Sequence, residues 1–340
     1  MAKTSASFIP PVQPRTGFEK DILKYNGLLV VAALALAVNQ LYNDGHAVIR
    51  NVSFGLVVIF SLLSYLIDLA TKPPKLDPHT YVKQKRGGKP VLMMVGDSIT
   101  HQGLSGKFND MVEKDFKGEV DVVVCAQNSI SSETVAKERV SWSLQCNPSY
   151  VSIMIGTNDI KGIYNPDWGA GTKVNFNLSD PVSYTSYRKY LKQIIEQYMK
   201  ASPNSKVAVH TLPPMGEDLG SSPNSHILKA NEIIHQVVSS FLSTGRVSVI
   251  DTFGALEKYL KDNSTEEERK KAMKVDDFSS VGPEALIKYN LLGYSYDDIG
   301  KRFGLKVMVD ALHLNDTGAR IVADGVGAWL RGELEKKGRK

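Results

Sequence analysis

The stretch Val91-Leu92-Met93-Met94-Val95-Gly96-Asp97-Ser98-Ile99-Thr100 decides how the rest of the chain is read. Its first five residues are all apolar, as expected of a strand buried on both faces of a parallel sheet. Gly96 permits a tight exit, and a helix pattern opens at about Gly103. Ser98 is therefore expected at the carboxyl edge of the sheet, beside a helix N-terminus whose free N–H groups suit an oxyanion. Four similar short runs follow, Val120 to Val124, Tyr150 to Ile155, Val207 to His210 and Val247 to Ile250. Helical stretches lie among them at Gly103 to Phe116, Glu133 to Leu144, Tyr184 to Lys200, His226 to Ser243 and Asp316 to Lys336. This alternation predicts an α/β domain with a doubly wound, five-stranded parallel sheet and ligands gathered at the carboxyl ends of its strands.

Upstream of this domain the pattern changes. Gly27 to Val38 and Val52 to Ile67 are apolar runs joined by the polar link Asn43-Asp44-Gly45-His46. Counted with their ends, each makes a helix of about 18 to 20 residues, near the length that crosses a hydrocarbon core of about 30 Å. The expected organisation is a tail over 1–25, a transmembrane helical hairpin over 26–70, a Pro- and Lys-bearing linker over 71–89, and the α/β domain over 90–337. Lys3, Arg15, Lys20 and Lys24 precede the first run, and Lys72, Lys75, Lys83, Lys85, Arg86 and Lys89 follow the second, whereas Arg50 stands alone at the turn. The positive-inside rule then makes the chain a two-pass membrane protein with a cytosolic α/β domain. Competing readings are a cleaved leader ending near Ala35-Leu36-Ala37, a single anchor made by the second run, and two buried helices of a soluble protein.

Charge and cysteine usage exclude other classes. The excess of 41 basic over 36 acidic residues gives +5, concentrated beside the apolar runs, where it suits a bilayer surface. Without finger spacing, an aromatic stripe or a long basic face, no nucleic-acid partner is expected. Cys125 and Cys146 are too few for a disulfide framework and read as buried thiols. No Cys/His cluster has metal-ligand spacing.

The chemistry-bearing residues sit at the ends of the chain's strands. Ser98 alone is an ordinary Gly-Asp-Ser turn residue. Asp310-Ala311-Leu312-His313, before the last helix, offers it a base and an orienter: Asp310 accepts from one ring nitrogen while the other faces the serine. By themselves these two would read as a helix-capping aspartate and a surface histidine. The third strand ends in Gly156-Thr157-Asn158-Asp159, where Asn158 presents a side-chain amide. The second leads through Gln127-Asn128-Ser129-Ile130-Ser131-Ser132-Glu133, where a main-chain N–H is another donor. His101 reads as structural or as a pocket wall, Asp97 as fixing the turn rather than titrating, His210 as a wall of the acyl pocket or a core residue, and His226 and His235 as surface residues. The segment 254–305 breaks the alternation and reads either as a lid or as a peripheral insertion.

Taken in order, Gly-Asp-Ser-Ile, Ser-Ile-Ser-Ser-Glu-Thr, Gly-Thr-Asn-Asp and Asp-x-x-His-Leu-Asn resemble the four sequence blocks of the SGNH, or GDSL, hydrolases, nearest their thioesterase and lysophospholipase-like branch. The resemblance spans roughly Pro90 to Trp329. It implies a flavodoxin-like sheet, a Ser98-His313-Asp310 triad, and an oxyanion hole from Ser98, Ser132 and Asn158, with no metal and no organic cofactor. Ser132 stands where the family has glycine, and Glu133 where it has aspartate, so the oxyanion hole is where the carry-over is weakest. The expected activity is hydrolysis of a carboxylic ester or thioester through an acyl-enzyme, with a lipid such as a lysophospholipid as a fitting substrate. An O-acyltransferase or carbohydrate O-deacetylase using the same triad, and a non-catalytic membrane scaffold, are the alternatives.

Overall fold

The computed structural model describes residues 68–84 and 88–338, with isolated helical positions between 55 and 66. The two apolar runs expected to form a membrane hairpin fall largely outside the described residues. Among the described residues, no helix is long and apolar enough to cross a membrane.

Five parallel strands form one sheet: β1 (Val91–Gly96), β2 (Asp121–Ala126), β3 (Tyr150–Met154), β4 (Lys206–His210) and β5 (Val247–Ile250), in the order β2-β1-β3-β4-β5. The order reverses between β1 and β3, the switch point at which doubly wound sheets open a crevice. Gly96 lies there, in register with Ala126 on one side and Met154 on the other.

Strand alternation divides the core in two. Val91, Met93 and Val95 face one layer with Val151, Ile153, Val207 and Val209, covered by the two 18-residue helices Tyr184–Ala201 and Ser222–Ser239. Leu92 and Met94 face the other with Val122, Val124 and Ala208, covered by helices Phe108–Asp115, Thr252–Asn263 and Asp316–Gly338. Burial on both faces is why these strands carry near-continuous apolar sequence. The outer edge of β2 meets the residues before helix Pro78–Lys83, since Val124 N–H donates to the Leu76 carbonyl at 2.9 Å. Both cysteines are free and buried, and burial pushes each thiol up to about 12.

Two departures from the expected elements bear on the site. The helix read as Glu133 to Leu144 is helical at Ser132–Thr134 and Val140–Leu144 but has a π-helical turn at Val135–Arg139 between them. That turn carries the Arg139 side chain inward, where its guanidinium bonds to Gln127 and lies 4.0 Å over the Trp142 ring. After β3 the chain forms two helices that the sequence pattern did not mark, Thr157–Tyr164 and Pro166–Asn175. Gly169 and Gly171 within the second weaken its helical signature.

The segment 254–305 is tied down on several sides. Leu256 and Leu260 join the sheet's core, while Val281, Ala285, Tyr296 and Ile299 form a small core of their own with Val309. Tyr296 N–H donates to Asp316 and Thr317 N–H to Asp297, both at 2.9 Å, and Tyr164 Oη donates to Asp276 at 3.0 Å.

Ile153 is fully buried in a strand flanked on both sides. Ile153→Ala is expected to lower unfolding free energy by about 3 kcal/mol, read as a reduced urea midpoint at unchanged slope.

Candidate active site

The site begins at the exit of β1. A Cβ on Gly96 would lie 2.1 Å from Thr100 Oγ1 and 2.4 Å from the Met154 carbonyl oxygen, so only glycine lets the chain turn so close to β3. Asp97 then caps the short helix Ser98–His101, its Oδ1 accepting from Ile99 N–H at 3.1 Å. Ser98 is the first residue of that helix, where a main-chain N–H has no intrahelical acceptor. Its side chain is only partly buried, whereas its neighbours Asp97 and Ile99 are covered.

More than two hundred residues later, the chain returns to the same edge. His313 Nε2 lies 2.9 Å from Ser98 Oγ, and His313 Nδ1 lies 2.7 Å from Asp310 Oδ2. Asp310 and His313 are 1% and 5% exposed, so this relay is shielded from water. The other Asp310 oxygen accepts the N–H groups of Leu312 at 3.0 Å and His313 at 2.7 Å. One carboxylate thus orients the imidazole and shapes the turn that carries it. The turn needs that help, because Ala311 has φ +63°, a left-handed conformation that costs a residue with a Cβ about 1–2 kcal/mol.

Asn158 is the second residue of helix Thr157–Tyr164 and is buried. Its Nδ2 donates to the Ile130 carbonyl at 3.1 Å, and its second amide hydrogen has no partner among the described residues.

Ser132 differs from expectation. Its N–H, expected to face an oxyanion, donates to Asp159 Oδ2 at 2.9 Å, and its hydroxyl donates to Asp159 Oδ1 at 2.6 Å. Asp159 is 4% exposed, and a carboxylate so enclosed takes the nearest donors. The serine that replaces the family's glycine supplies one of them. Burial still raises Asp159 to about 6 against these two bonds. The Glu133 carboxylate accepts from the N–H groups of Ser179 and Asp180.

His210 proves to be a core residue, its ring between Ser152 Oγ at 2.8 Å and Thr252 Oγ1 at 2.7 Å, with burial pushing it down to about 3. His101 is buried, His226 bonds to Tyr184 Oη at 2.7 Å, and His235 is exposed. Among the described residues, no group of three His, Cys, Asp or Glu is placed to hold a metal ion.

The family described as GDSL-like Lipase/Acylhydrolase matches residues 94–321, well over half of the chain. The chain belongs to the GDSL-like lipase/acylhydrolase family. It is an enzyme that hydrolyses ester bonds. Among solved structures, an acetylxylan esterase, Axe2 from Geobacillus stearothermophilus, is 15% identical over 71% of this chain and 93% of its own, with a TM-score of 0.48. The acetyl xylan esterase AlAXEase is 20% identical over 70% and 98%, at 0.46. LAE5, described as an α/β hydrolase enzyme from the metagenome of Lake Arreo, Spain, is 14% identical over 72% and 95%, at 0.48. Comparison with curated protein sequences finds no significant match.

Two further ionisable groups belong to this GDSL-family site: Asp97, read from the sequence as a turn-fixing residue, and Lys161, which the sequence reading did not single out. Asp97 is raised to about 7, chiefly by burial, and its Oδ2 has no hydrogen-bond partner among the described residues. Lys161, one turn beyond Asn158, lies with Nζ 3.6 Å over the Trp168 ring, and burial lowers it to about 7 against the pull of Asp310 and Asp276. Asp97 lies inside the first motif block, and the only sequence signal for Lys161 was its proximity to the third.

These charges set the pH behaviour of His313. Burial disfavours its cation, but the charge and hydrogen bond of Asp310, then the charge of Asp97, outweigh burial and the opposing charge of Lys161, leaving its pKa above the ordinary 6.5. A proton on Nε2 would block acceptance from Ser98, so kcat/KM is expected to fall as pH drops through a midpoint above 6.5. Lys161→Met removes an opposing charge, so this midpoint should move to higher pH. A midpoint unchanged or lowered in the variant would contradict the assignment.

Proposed function

We propose that the enzyme hydrolyses carboxylic esters or thioesters by a two-step acyl-enzyme mechanism at Ser98. The supporting observation is the continuous relay Ser98 Oγ, His313 Nε2, His313 Nδ1, Asp310 Oδ2, with links of 2.9 and 2.7 Å. Ser98 Oγ attacks the acyl carbon as its proton passes to His313 Nε2, and Asp310 stabilises the imidazolium. The oxyanion forms beside the Ser98 N–H and Asn158 Nδ2. His313 then gives its proton to the departing alcohol or thiol, and takes one from the water that attacks the acyl-enzyme. That second attack releases the acid and restores the serine. With the Ser132 N–H committed to Asp159, the oxyanion hole relies on two donors, and the Asn158 amide carries much of the stabilisation.

The apolar runs at 27–38 and 52–67, flanked by basic residues, favour a membrane-anchored enzyme facing the cytosol and a lipid-derived acyl ester as substrate. If the anchor exists, the full chain should stay with membranes through an alkaline carbonate wash. Release into the supernatant would remove this part of the reading.

The chemistry is tested on p-nitrophenyl esters of increasing chain length, with a fluorophosphonate probe read by peptide mapping. Ser98→Ala should lower kcat by about 10⁴- to 10⁶-fold and abolish labelling while leaving the circular dichroism unchanged. Asn158→Ala should lower kcat by about 10²- to 10³-fold yet still be labelled at Ser98. Full turnover by the Ser98 variant would refute the nucleophile.

A further inference from the structure

Three consecutive N–H groups, those of Lys306, Val307 and Met308, converge on one buried carboxylate. Glu217 Oε1 accepts from them at 2.8, 2.7 and 3.1 Å, and its Oε2 is also 2.8 Å from the Lys306 nitrogen. The Glu217 residue is 1% exposed. These N–H groups leave no vacant acceptor site on Oε1, and a buried carboxylate so surrounded is held firmly in place.

The acceptor stands in a loop that is itself braced. Asn224, in the helix Ser222–Ser239, accepts from Met215 N–H at 2.9 Å and donates to the carbonyls of Gly216 at 3.1 Å and Asp218 at 2.9 Å. Gly216 has φ +74°, a conformation that favours glycine, and its N–H donates to the Ala311 carbonyl at 2.7 Å. The loop therefore grips the returning chain twice, at 306–308 through Glu217 and at Ala311 through Gly216.

What is gripped is the base of the relay. Met308 pairs with Leu314 in an antiparallel bridge, Asn315 N–H donates to the Val307 carbonyl at 3.0 Å, and Val309 N–H donates to the His313 carbonyl at 2.9 Å. Residues 307–315 thus form a closed loop with Asp310 and His313 at its tip and the left-handed Ala311 between them. A strained residue persists where its surroundings over-determine it. The two grips lie on either side of Asp310, one at the loop's base and one at the strained residue.

We propose that Glu217 is a positioning residue for ester hydrolysis. It fixes the backbone entering the Asp310–His313 turn, so that His313 Nε2 faces Ser98. The proposal rests on the triad reading above. Glu217 touches neither substrate nor reacting atoms, so its effect is expected in kcat, with binding left alone.

The test uses the full chain and a p-nitrophenyl ester, comparing Glu217→Gln, Glu217→Asp and Ser98→Ala with the wild type. In Glu217→Gln an amide NH2 replaces one oxygen and meets the Lys306 N–H donor to donor. Its kcat should fall by about 100-fold, the scale of a small misplacement of a catalytic group, with KM within about twofold. Glu217→Asp, which keeps the charge on a shorter stem, should recover part of that loss. Amide hydrogen exchange should show 306–308 protected like the sheet in the wild type, and exchanging at least about tenfold faster in Glu217→Gln, as loss of a charge-assisted bond allows. A folded Glu217→Gln with wild-type kcat would overturn the proposal. Should that variant not fold, wild-type amides at 306–308 exchanging like an exposed loop would also overturn it. Failure of the triad reading would look different: Ser98→Ala would keep its activity, whatever the exchange at 306–308.

Discussion

The site hangs on one carboxylate placed in the tightest part of the returning chain. Asp310 accepts three hydrogen bonds from a span of four residues, two from the main chain and one from the His313 ring. The main-chain pair forces the turn, and the ring bond fixes which imidazole nitrogen is left to face Ser98. A charge this enclosed is tolerable only when fully bonded. Removal of any one of these bonds would therefore disturb both the turn's shape and the histidine's protonation.

The second constraint is the sheet's switch point. Gly96 and the strands on either side of it fix where Ser98 emerges, while the loop carrying Asp310 and His313 crosses the same edge from the far end of the sequence. Neither half acts alone. The serine is an exposed turn residue until the imidazole arrives, and the histidine would be a buried base with no substrate. Around this meeting point Asp97, Asp159 and Lys161 are each displaced by burial toward neutrality, so the site's electrostatics respond to pH within the range in which its base must operate.

Much of this was legible in the sequence because parallel strands buried on both faces leave an unbroken apolar signature. The five strands fell within one or two residues of their expected places. The four motif blocks named Ser98, Asn158, Asp310 and His313, and the geometry brings Ser98, His313 and Asp310 into one relay. What escaped was decided by partners distant in sequence. Ser132 read as a main-chain donor, since nothing local shows that Asp159, 27 residues on, would claim both its N–H and its hydroxyl. Helices Thr157–Tyr164 and Pro166–Asn175 were hidden by glycines and by the turn-like Asn165-Pro166. Nothing local in sequence marks Glu217, because its three donors are some ninety residues away.

The small satellite core of the 254–305 segment includes Val309, the residue immediately before Asp310. Divergence within such a family is usually pictured as loops exchanged on a constant frame. Here the frame and the ornament share a packed boundary next to the turn that carries Asp310 and His313. A descendant that shortened this segment would uncover Val309 and have to evolve a new apolar cover for it before it could explore another substrate. Recombination of the segment between relatives is thus constrained by packing well before selectivity enters.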